Sequence, residues 1–190
     1  AVWNDTDKDG LPDLMLVGDW MPVTLLKNKA GQRLEKANIG NLTRSNGWWN
    51  CLHSADLDGD GDMDFVLGNL GRNSRMTATR QEPAELYVND FDRNGTTDQI
   101  ITCYTLGKSY PMVLKPDLQK VLPIIKKKFV KHTDYAGKSV NQVITSEQMQ
   151  GVTKQAVYNP NTSVLLNKGN GQFELSALPW QVQVSSVAGI

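Results

Sequence analysis

Short apolar runs separated by polar turns recur along the chain. Three of these runs, 14–17, 65–67 and 100–103, start within two residues of an aspartate and are rich in Leu, Val, Ile or Phe. Such short runs bounded by turn residues are typical of β-strands. Two further stretches, 25–35 and 165–174, each have an apolar strand, a turn with glycine and a returning strand, which predicts two hairpins. The pattern therefore predicts an all-β protein.

One segment departs from this pattern. Between 112 and 157, Leu118, Leu122 and Ile125 recur at helical spacing, and Pro123 is placed to start a second short helix. We therefore predict a small helical insertion over 112–157. The stretch 108–138 carries eight lysines against two acidic residues. It is either a basic patch for acidic glycans, lipid headgroups or an acidic partner, or the solvated face of an amphipathic helix.

Acidic residues are concentrated in three nine-residue segments, which we call the first, second and third Asp loops: 5–13, 56–64 and 90–98. They hold twelve of the 20 acidic residues, and each follows the pattern D-x-D-x-[DN]-G-x-x-D. Carboxylates this close repel one another unless a cation neutralises them. Glycine at the sixth position permits a sharp turn, after which the seventh carbonyl can point inward.

Oxygen donors at positions 1, 3 and 5 suit a hard cation. Ca²⁺ accepts about six to eight oxygens in flexible geometry, whereas Mg²⁺ demands an octahedron and retains water. We therefore predict up to three Ca²⁺ ions, the third loop binding most weakly because Asn94 replaces a carboxylate. The predicted ligands, by side chain or carbonyl, are Asp5, Asp7, Asp9, Leu11, Asp13, Asp56, Asp58, Asp60, Asp62, Asp64, Asp90, Asp92, Asn94, Thr96 and Asp98.

An EF-hand or dockerin is the alternative for such loops, and it requires an acidic residue at position 12 between two helices. Position 12 is instead Leu16, Leu67 and Ile101, each in a strand-like run. The closing acidic residue comes at position 9. Each Asp loop is therefore predicted to join two β-strands.

The loops begin at residues 5, 56 and 90, so their starts are 51 and 34 residues apart. Units of about 40–50 residues with about four strands are typical of propeller blades. We expect blade units at 1–44, 45–83 and 84–178, the last carrying the insertion, and the start of another blade at 179–190 with an entering strand over 182–190. The chain is then a fragment of one β-propeller domain, with about three four-stranded blades and the remaining blades outside it.

The chain resembles the FG-GAP/VCBS repeat proteins, whose β-propeller blades are related to those of integrin α-subunits. The Asp loops, the trailing Gly18 and Gly68, and the hairpin at 165–173 carry this resemblance. Segments 47–50, 68–74 and 107–111 make it similar, more narrowly, to bacterial surface proteins that pair such repeats with an ASPIC/UnbV-type module. The resemblance implies a calcium-binding module of a secreted or cell-surface protein that binds a protein or glycan.

The charge balance, the lengths of the apolar runs and the positions of the acidic residues limit the possible functions. Lys plus Arg equals Asp plus Glu, which excludes a generally basic nucleic-acid binder, and no apolar run is long enough for a transmembrane segment. Loops without an acidic position 12 should bind Ca²⁺ weakly, which favours an extracellular, cell-surface or periplasmic location. The acidic residues outside the loops are scattered, so we expect no enzyme. The alternative is part of a propeller-type polysaccharide hydrolase or lyase.

Two residue types leave alternatives open. The five tryptophans are predicted mainly as blade core, with a sugar-stacking surface as the alternative. Cys51 and Cys103 lie in strand-like segments and are predicted to be free thiols, although sequence alone does not exclude a disulfide.

Overall fold

The computed structural model describes all 190 residues and is mostly β. The strands are β1 (Val2–Asn4), β2 (Asp13–Leu16), β3 (Asp19–Met21), β4 (Thr24–Lys29), β5 (Arg33–Lys36), β6 (Gly47–Trp48), β7 (Cys51–Ala55), β8 (Asp64–Gly68), β9 (Ala84–Asn89), β10 (Asp98–Thr105), β11 (Lys108–Pro111), β12 (Thr153–Val157), β13 (Ser163–Asn167) and β14 (Phe173–Ala177). The helices are α1 (Lys115–Val121), α2 (Ile124–Lys128), α3 (His132–Tyr135) and α4 (Val140–Val143), with 3₁₀ turns at Gly40–Leu42 and Trp180–Val184. None of these helices has the length and apolar character needed to cross a bilayer.

The chain divides into two compact units, 1–75 with 157–190, and 76–156. The first unit contains two four-stranded antiparallel sheets, in the orders β1-β2-β4-β5 and β7-β8-β13-β14. It also contains the parallel pair β3-β6. The second unit contains the antiparallel sheet β11-β10-β9-β12 and the four α-helices. The mostly β architecture is as predicted.

The first unit is built around one apolar core that both of its large sheets supply. Successive side chains of a strand point to opposite faces, so one face of each sheet can be apolar. The core residues are Met15, Val23, Leu25, Ile39, Leu42, Trp49, Phe65, Leu67, Leu165 and Phe173. The rings of Phe65 and Phe173 lie 6.5 Å apart, centroid to centroid. The core therefore joins elements that are distant in sequence.

The second unit has its own core, which its sheet and helices share. Tyr87, Phe91 and Ile100 from the β9–β10 region pack with Leu118, Leu122 and other helical residues. The predicted helical spacing is confirmed at Leu118, Leu122 and Ile125, which are all buried. One part of the predicted insertion differs, because 153–157 forms strand β12. Among the insertion's lysines, Lys115 and Lys128 donate to the carbonyls of Val130 and Val143.

The hairpin β13–β14 lies in a different sheet from the one expected. The predicted third unit, 84–178, included it, but β13 pairs with β8, with Leu165 opposite Phe65. Both side chains are fully buried in the shared core, which favours this long-range pairing over a local one. The sheet that contains the second Asp loop is therefore completed by strands about 100 residues further along the chain.

The expected strand over 182–190 does not form. A 3₁₀ turn spans Trp180–Val184, and the buried Gln183 side chain accepts from the Thr162 amide and donates to the carbonyls of Thr162 and Leu178. Further along, the Val187 amide donates to the Asn69 carbonyl at 3.0 Å. These bonds hold the segment against the rest of the first unit. Cys51 and Cys103 are both free thiols, as predicted.

Candidate metal centres

Each Asp loop joins two adjacent antiparallel strands of one sheet. The first Asp loop lies between β1 and β2, the second between β7 and β8, and the third between β9 and β10. In all three, the ninth residue is also the first residue of the following strand. The last aspartate of each loop, Asp13, Asp64 or Asp98, is therefore fixed by the hydrogen bonding of the sheet.

The three loops share one internal hydrogen-bond pattern. The first aspartate accepts the amide of the position 6 glycine, as from Gly10 to Asp5 at 2.8 Å and from Gly95 to Asp90 at 2.8 Å. The position 5 side chain accepts the amide two residues later in every loop. The glycines at position 6 have φ between +81° and +86°, a conformation that glycine adopts without strain. The repeated sequence pattern thus specifies one repeated loop structure.

The closing aspartates brace the loops against their sheets. Asp13, Asp64 and Asp98 are at most 6 % exposed, and each accepts the amide of its loop's second residue. Asp13 also accepts the amide of Asn28 at 2.8 Å, and Asp64 that of Asn167 at 2.8 Å. These two asparagines lie on the third strand of each sheet. The sequence analysis did not identify these two asparagines as partners of the loops, although they lie in the predicted hairpins 25–35 and 165–174.

Carboxylate oxygens converge in each loop. In the second loop the group is Asp56, Asp58 and Asp64, and in the third it is Asp90, Asp92 and Asp98, in each case with the oxygens within 4.8 Å of one another. The first loop differs, since its group is Asp5, Asp7 and Asp9, without the closing aspartate.

The remaining predicted ligands have other partners or stay predictions. The side chains of Asp60 and Asn94 accept backbone amides, and Asp62 pairs with Lys8 at 2.7 Å. The proposed carbonyl ligands at position 7, in Leu11, Asp62 and Thr96, stay predictions.

The cationic neighbours of the three loops differ strongly. In the first loop, the Nζ of Lys27 lies 2.7 Å from Asp7 Oδ2 and 2.9 Å from Asp13 Oδ2. In the second, Lys168 lies 2.9 Å from Asp58 Oδ2. In the third, no lysine or arginine pairs with the grouped aspartates, and Arg93 pairs with Glu147 instead.

The pKa directions follow from these neighbours. Burial alone would raise the pKa of Asp13, but hydrogen bonds from Thr6 and Lys27 outweigh burial and lower it. The hydrogen bond from Lys168 lowers the pKa of Asp58. Burial, and then repulsion from Asp92 and Asp90, raises the pKa of Asp98. The third loop therefore holds the least neutralised negative charge.

The third loop provides a test of whether a cation fits. Asp92 Oδ1 is buried and has no hydrogen-bond donor. A buried charged oxygen without a partner is costly, and most such atoms in native proteins are satisfied by a donor, water or ion. With Asp90 and Asp98 close by, the donor set is entirely hard oxygen, which Ca²⁺ and Mg²⁺ prefer over softer metals. The residues fit a hard divalent cation.

Residues 5–67 match the model of the FG-GAP-like repeat. The matched segment contains both Asp loops of the first unit and the strands between them. No curated protein and no solved structure matches the chain. Residues 5–67 are therefore similar to an FG-GAP-like repeat, and the resemblance to that family is supported over about a third of the chain. The narrower resemblance to VCBS repeats and to ASPIC/UnbV-type proteins stays a prediction.

Proposed function

We propose that this chain is a non-enzymatic, calcium-binding module of β-propeller type. It belongs to a secreted, cell-surface or periplasmic protein and contributes to protein or glycan binding. The observation that carries the calcium proposal is the buried, unpartnered Oδ1 of Asp92 beside Asp90 and Asp98. The FG-GAP-like repeat at 5–67 supports the propeller type.

The sheets support the assignment of blades. Three antiparallel sheets have four strands each, and each contains one Asp loop between two of its neighbouring strands. The blades of β-propellers are four-stranded sheets. We infer that each sheet is one blade, with the second blade completed by β13 and β14.

The role of the ion is structural in this proposal. Asp56, Asp58 and Asp64 would hold it in the second loop, and Asp90, Asp92 and Asp98 in the third. When bound, it supplies positive charge to oxygens that otherwise repel one another. The closing aspartates Asp64 and Asp98 are also the first residues of β8 and β10, so ion binding and sheet stability are coupled.

Two further observations support a binding role rather than an enzymatic one. Trp3 and Trp180 are 57 % and 70 % exposed, and large aromatic side chains at a surface suit stacking on sugar rings or burial at an interface. Of the acidic residues outside the loops, Glu85 pairs with Lys154, and Asp117 with Lys120. These pairings favour structural roles for them over acid–base catalysis.

Thermal unfolding tests the calcium proposal. We expect the midpoint of the chain to rise in millimolar Ca²⁺ relative to EGTA, and to rise little in Mg²⁺. The Asp92→Asn variant should lose part of the Ca²⁺ response and should be at least as stable as the wild type in EGTA, because it removes an unpartnered buried charge. Calorimetry is the suitable method, since both units then contribute to the signal. An unchanged midpoint in Ca²⁺ would contradict the proposal.

A further inference from the structure

The first Asp loop has a lysine ammonium among its carboxylates. Lys27 Nζ lies 2.8 Å from Thr6 Oγ1, 2.7 Å from Asp7 Oδ2 and 2.9 Å from Asp13 Oδ2. An ammonium has three N–H donors, so all of them are satisfied by the loop. The Lys27 side chain is only 15 % exposed, and that of Asp13 is 1 % exposed. The Asp7 side chain is more open, at 37 % exposed, but the ammonium and Asp13 are largely buried, so the arrangement is not a surface ion pair.

The position of Lys27 can be compared with the second sheet through strand register. Leu14 pairs with Leu26, and Phe65 pairs with Leu165, where Leu14 and Phe65 each follow the closing aspartate. Continuing each register by one residue places Lys27 opposite Asp13, and Leu166 opposite Asp64. In this structural alignment Leu26 corresponds to Leu165, whereas the sequence pattern matched Leu25 with Leu165. The chain thus has a lysine in one repeat where it has a leucine in the other.

The second loop has no largely buried lysine that bonds two of its carboxylates. Lys168 contacts one of its grouped carboxylates, Asp58, and its side chain is 40 % exposed. A lysine this exposed can leave the carboxylate at little cost, since surface ion pairs are weak. The third loop has no lysine on its carboxylates. The first loop is therefore the one in which an ammonium bonds two carboxylates at once, Asp7 of the converging group and the closing Asp13.

We propose that Lys27 is the built-in cation of the first Asp loop and takes the place of a metal ion there, so that the chain binds two Ca²⁺ ions and not three. The second half of this proposal, the count of two Ca²⁺ ions, rests on the proposed calcium function. Its first half, that the lysine holds the loop, concerns this chain's own residues. A metal ion in the first loop would have to displace an ammonium that has three oxygen partners or lie beside it, and two adjacent cations repel.

Counting bound ions tests the proposal. Equilibrium dialysis of the full chain at about 10 mM Ca²⁺ exceeds the dissociation constants of weak extracellular sites, about 0.1–1 mM. We expect two ions per wild-type chain, one in Asp58→Asn, one in Asp92→Asn, and still two in Asp7→Asn. The Lys27→Leu variant, which copies the residue found in the second sheet, should bind three. Lys29→Leu, on the same strand but exposed, is the matched control and should bind two.

Three ions in the wild type, a loss of one in Asp7→Asn, or only two in Lys27→Leu would each overturn the proposal. Thermal unfolding adds a readout that does not depend on ion counting. In EGTA, Lys27→Leu should lower the midpoint by about 5–10 °C, and more than Lys168→Leu does, with recovery on adding Ca²⁺.

The two proposals fail separately. If neither the wild type nor any variant binds Ca²⁺, the proposed function fails. The role of the lysine is then decided by the midpoints in EGTA, where equal losses in Lys27→Leu and Lys168→Leu would overturn it.

Discussion

The buried side chain of Asn69 connects three segments of the first unit, and its removal should be strongly destabilising. Asn69 is fully buried. Its Oδ1 accepts the amides of Trp48 at 3.1 Å and Leu70 at 2.8 Å, and its Nδ2 donates to the carbonyls of Asn159 at 2.9 Å and Asn161 at 3.3 Å. The substitution Asn69→Ala removes all four bonds and replaces none.

The expected loss follows from the groups left without partners. A net hydrogen bond contributes about 1 kcal/mol, and an orphaned buried donor or acceptor costs about 1–3 kcal/mol. The two amides lose their acceptor, while the two carbonyls retain a second lone pair for other partners. We therefore expect Asn69→Ala to lower the free energy of unfolding by about 3–5 kcal/mol. Against a total of about 5–15 kcal/mol for a typical protein, this is a large fraction.

Urea unfolding followed by tryptophan fluorescence is the suitable assay. All five tryptophans, Trp3, Trp20, Trp48, Trp49 and Trp180, lie in the first unit, so the signal reports the unit that contains Asn69. With a denaturant slope of about 1.5 kcal/mol per M, the midpoint should fall by roughly 2–3 M.

The control is Asn50→Ala, which removes one exposed hydrogen bond to Ser186 and should change stability by less than about 1 kcal/mol. Equal effects of the two substitutions would refute the reasoning from buried hydrogen bonds.

Three further predictions concern the loops, a close contact and pH. Asp58→Ala should cost more thermal stability in millimolar Ca²⁺ than in EGTA, and equal losses would show that Asp58 does not act through metal. Gly68→Ala would place a Cβ in close contact with Cys51 Sγ and the Val187 carbonyl and should cost about 1–3 kcal/mol in urea unfolding; a neutral result would contradict the packing. Burial raises the pKa values of Tyr87 and Tyr135 to about 12, so both should ionise late in an ultraviolet titration, whereas ionisation of all tyrosines near pH 10 in the folded protein would contradict their burial.

The two buried tyrosines also make the stability of the fold fall at high pH. A raised native pKa means that the neutral phenol is favoured in the folded state, so its stabilisation is complete below about pH 10 and is lost between about pH 10 and 12. Tyr87→Phe and Tyr135→Phe should each remove one late-ionising group. Gly40→Ala is the control for Gly68→Ala, since nothing lies within 4 Å of the Cβ position there.

Local features of this protein were predictable because neighbouring residues determine them. The position of glycine at the sixth place of each Asp loop indicated a turn, and all three glycines have positive φ. The spacing of Leu118, Leu122 and Ile125 indicated helices that bury these residues, and Pro123 separates α1 from α2. In each case the deciding interactions lie within a few residues, which is the range that sequence periodicity reports.

Long-range pairing was not predictable in the same way. Phe65 and Leu165 are 100 residues apart and lie opposite each other in one sheet. The stretches 165–174 and 25–35 are similar in sequence, which predicted two hairpins. This similarity does not tell which strand the second hairpin pairs with. The role of Lys27 depends on strand register, because only the pairing of β2 with β4 places it opposite Asp13. Such contacts are set by the shared core, which no local pattern describes.

The loops also differ in their unpaired charge, which gives an expectation different from the one that a count of carboxylates gives. Counting carboxylates makes the third loop the weakest site, because Asn94 replaces an aspartate. The unpaired charge in the three loops leads us to expect the opposite order. Asn94 uses its side-chain oxygen to accept the amide of Thr96, as Asp9 and Asp60 do for the equivalent amides of their loops, so position 5 serves the turn in all three.

The charge left unpaired at positions 1, 3 and 9 then decides the response to a cation. It is smallest in the first loop, where Lys27 bonds Asp7 and Asp13, and intermediate in the second, where Lys168 pairs with Asp58. It is largest in the third, where Asp92 Oδ1 has no partner and Asp98 lacks the third-strand amide that Asp13 and Asp64 accept. We therefore expect the dependence of stability on Ca²⁺ to come mainly from the third loop and its sheet. The backbone of each loop is held by its own hydrogen bonds, so an ion bound there would neutralise charge and is not required for the shape of the loop.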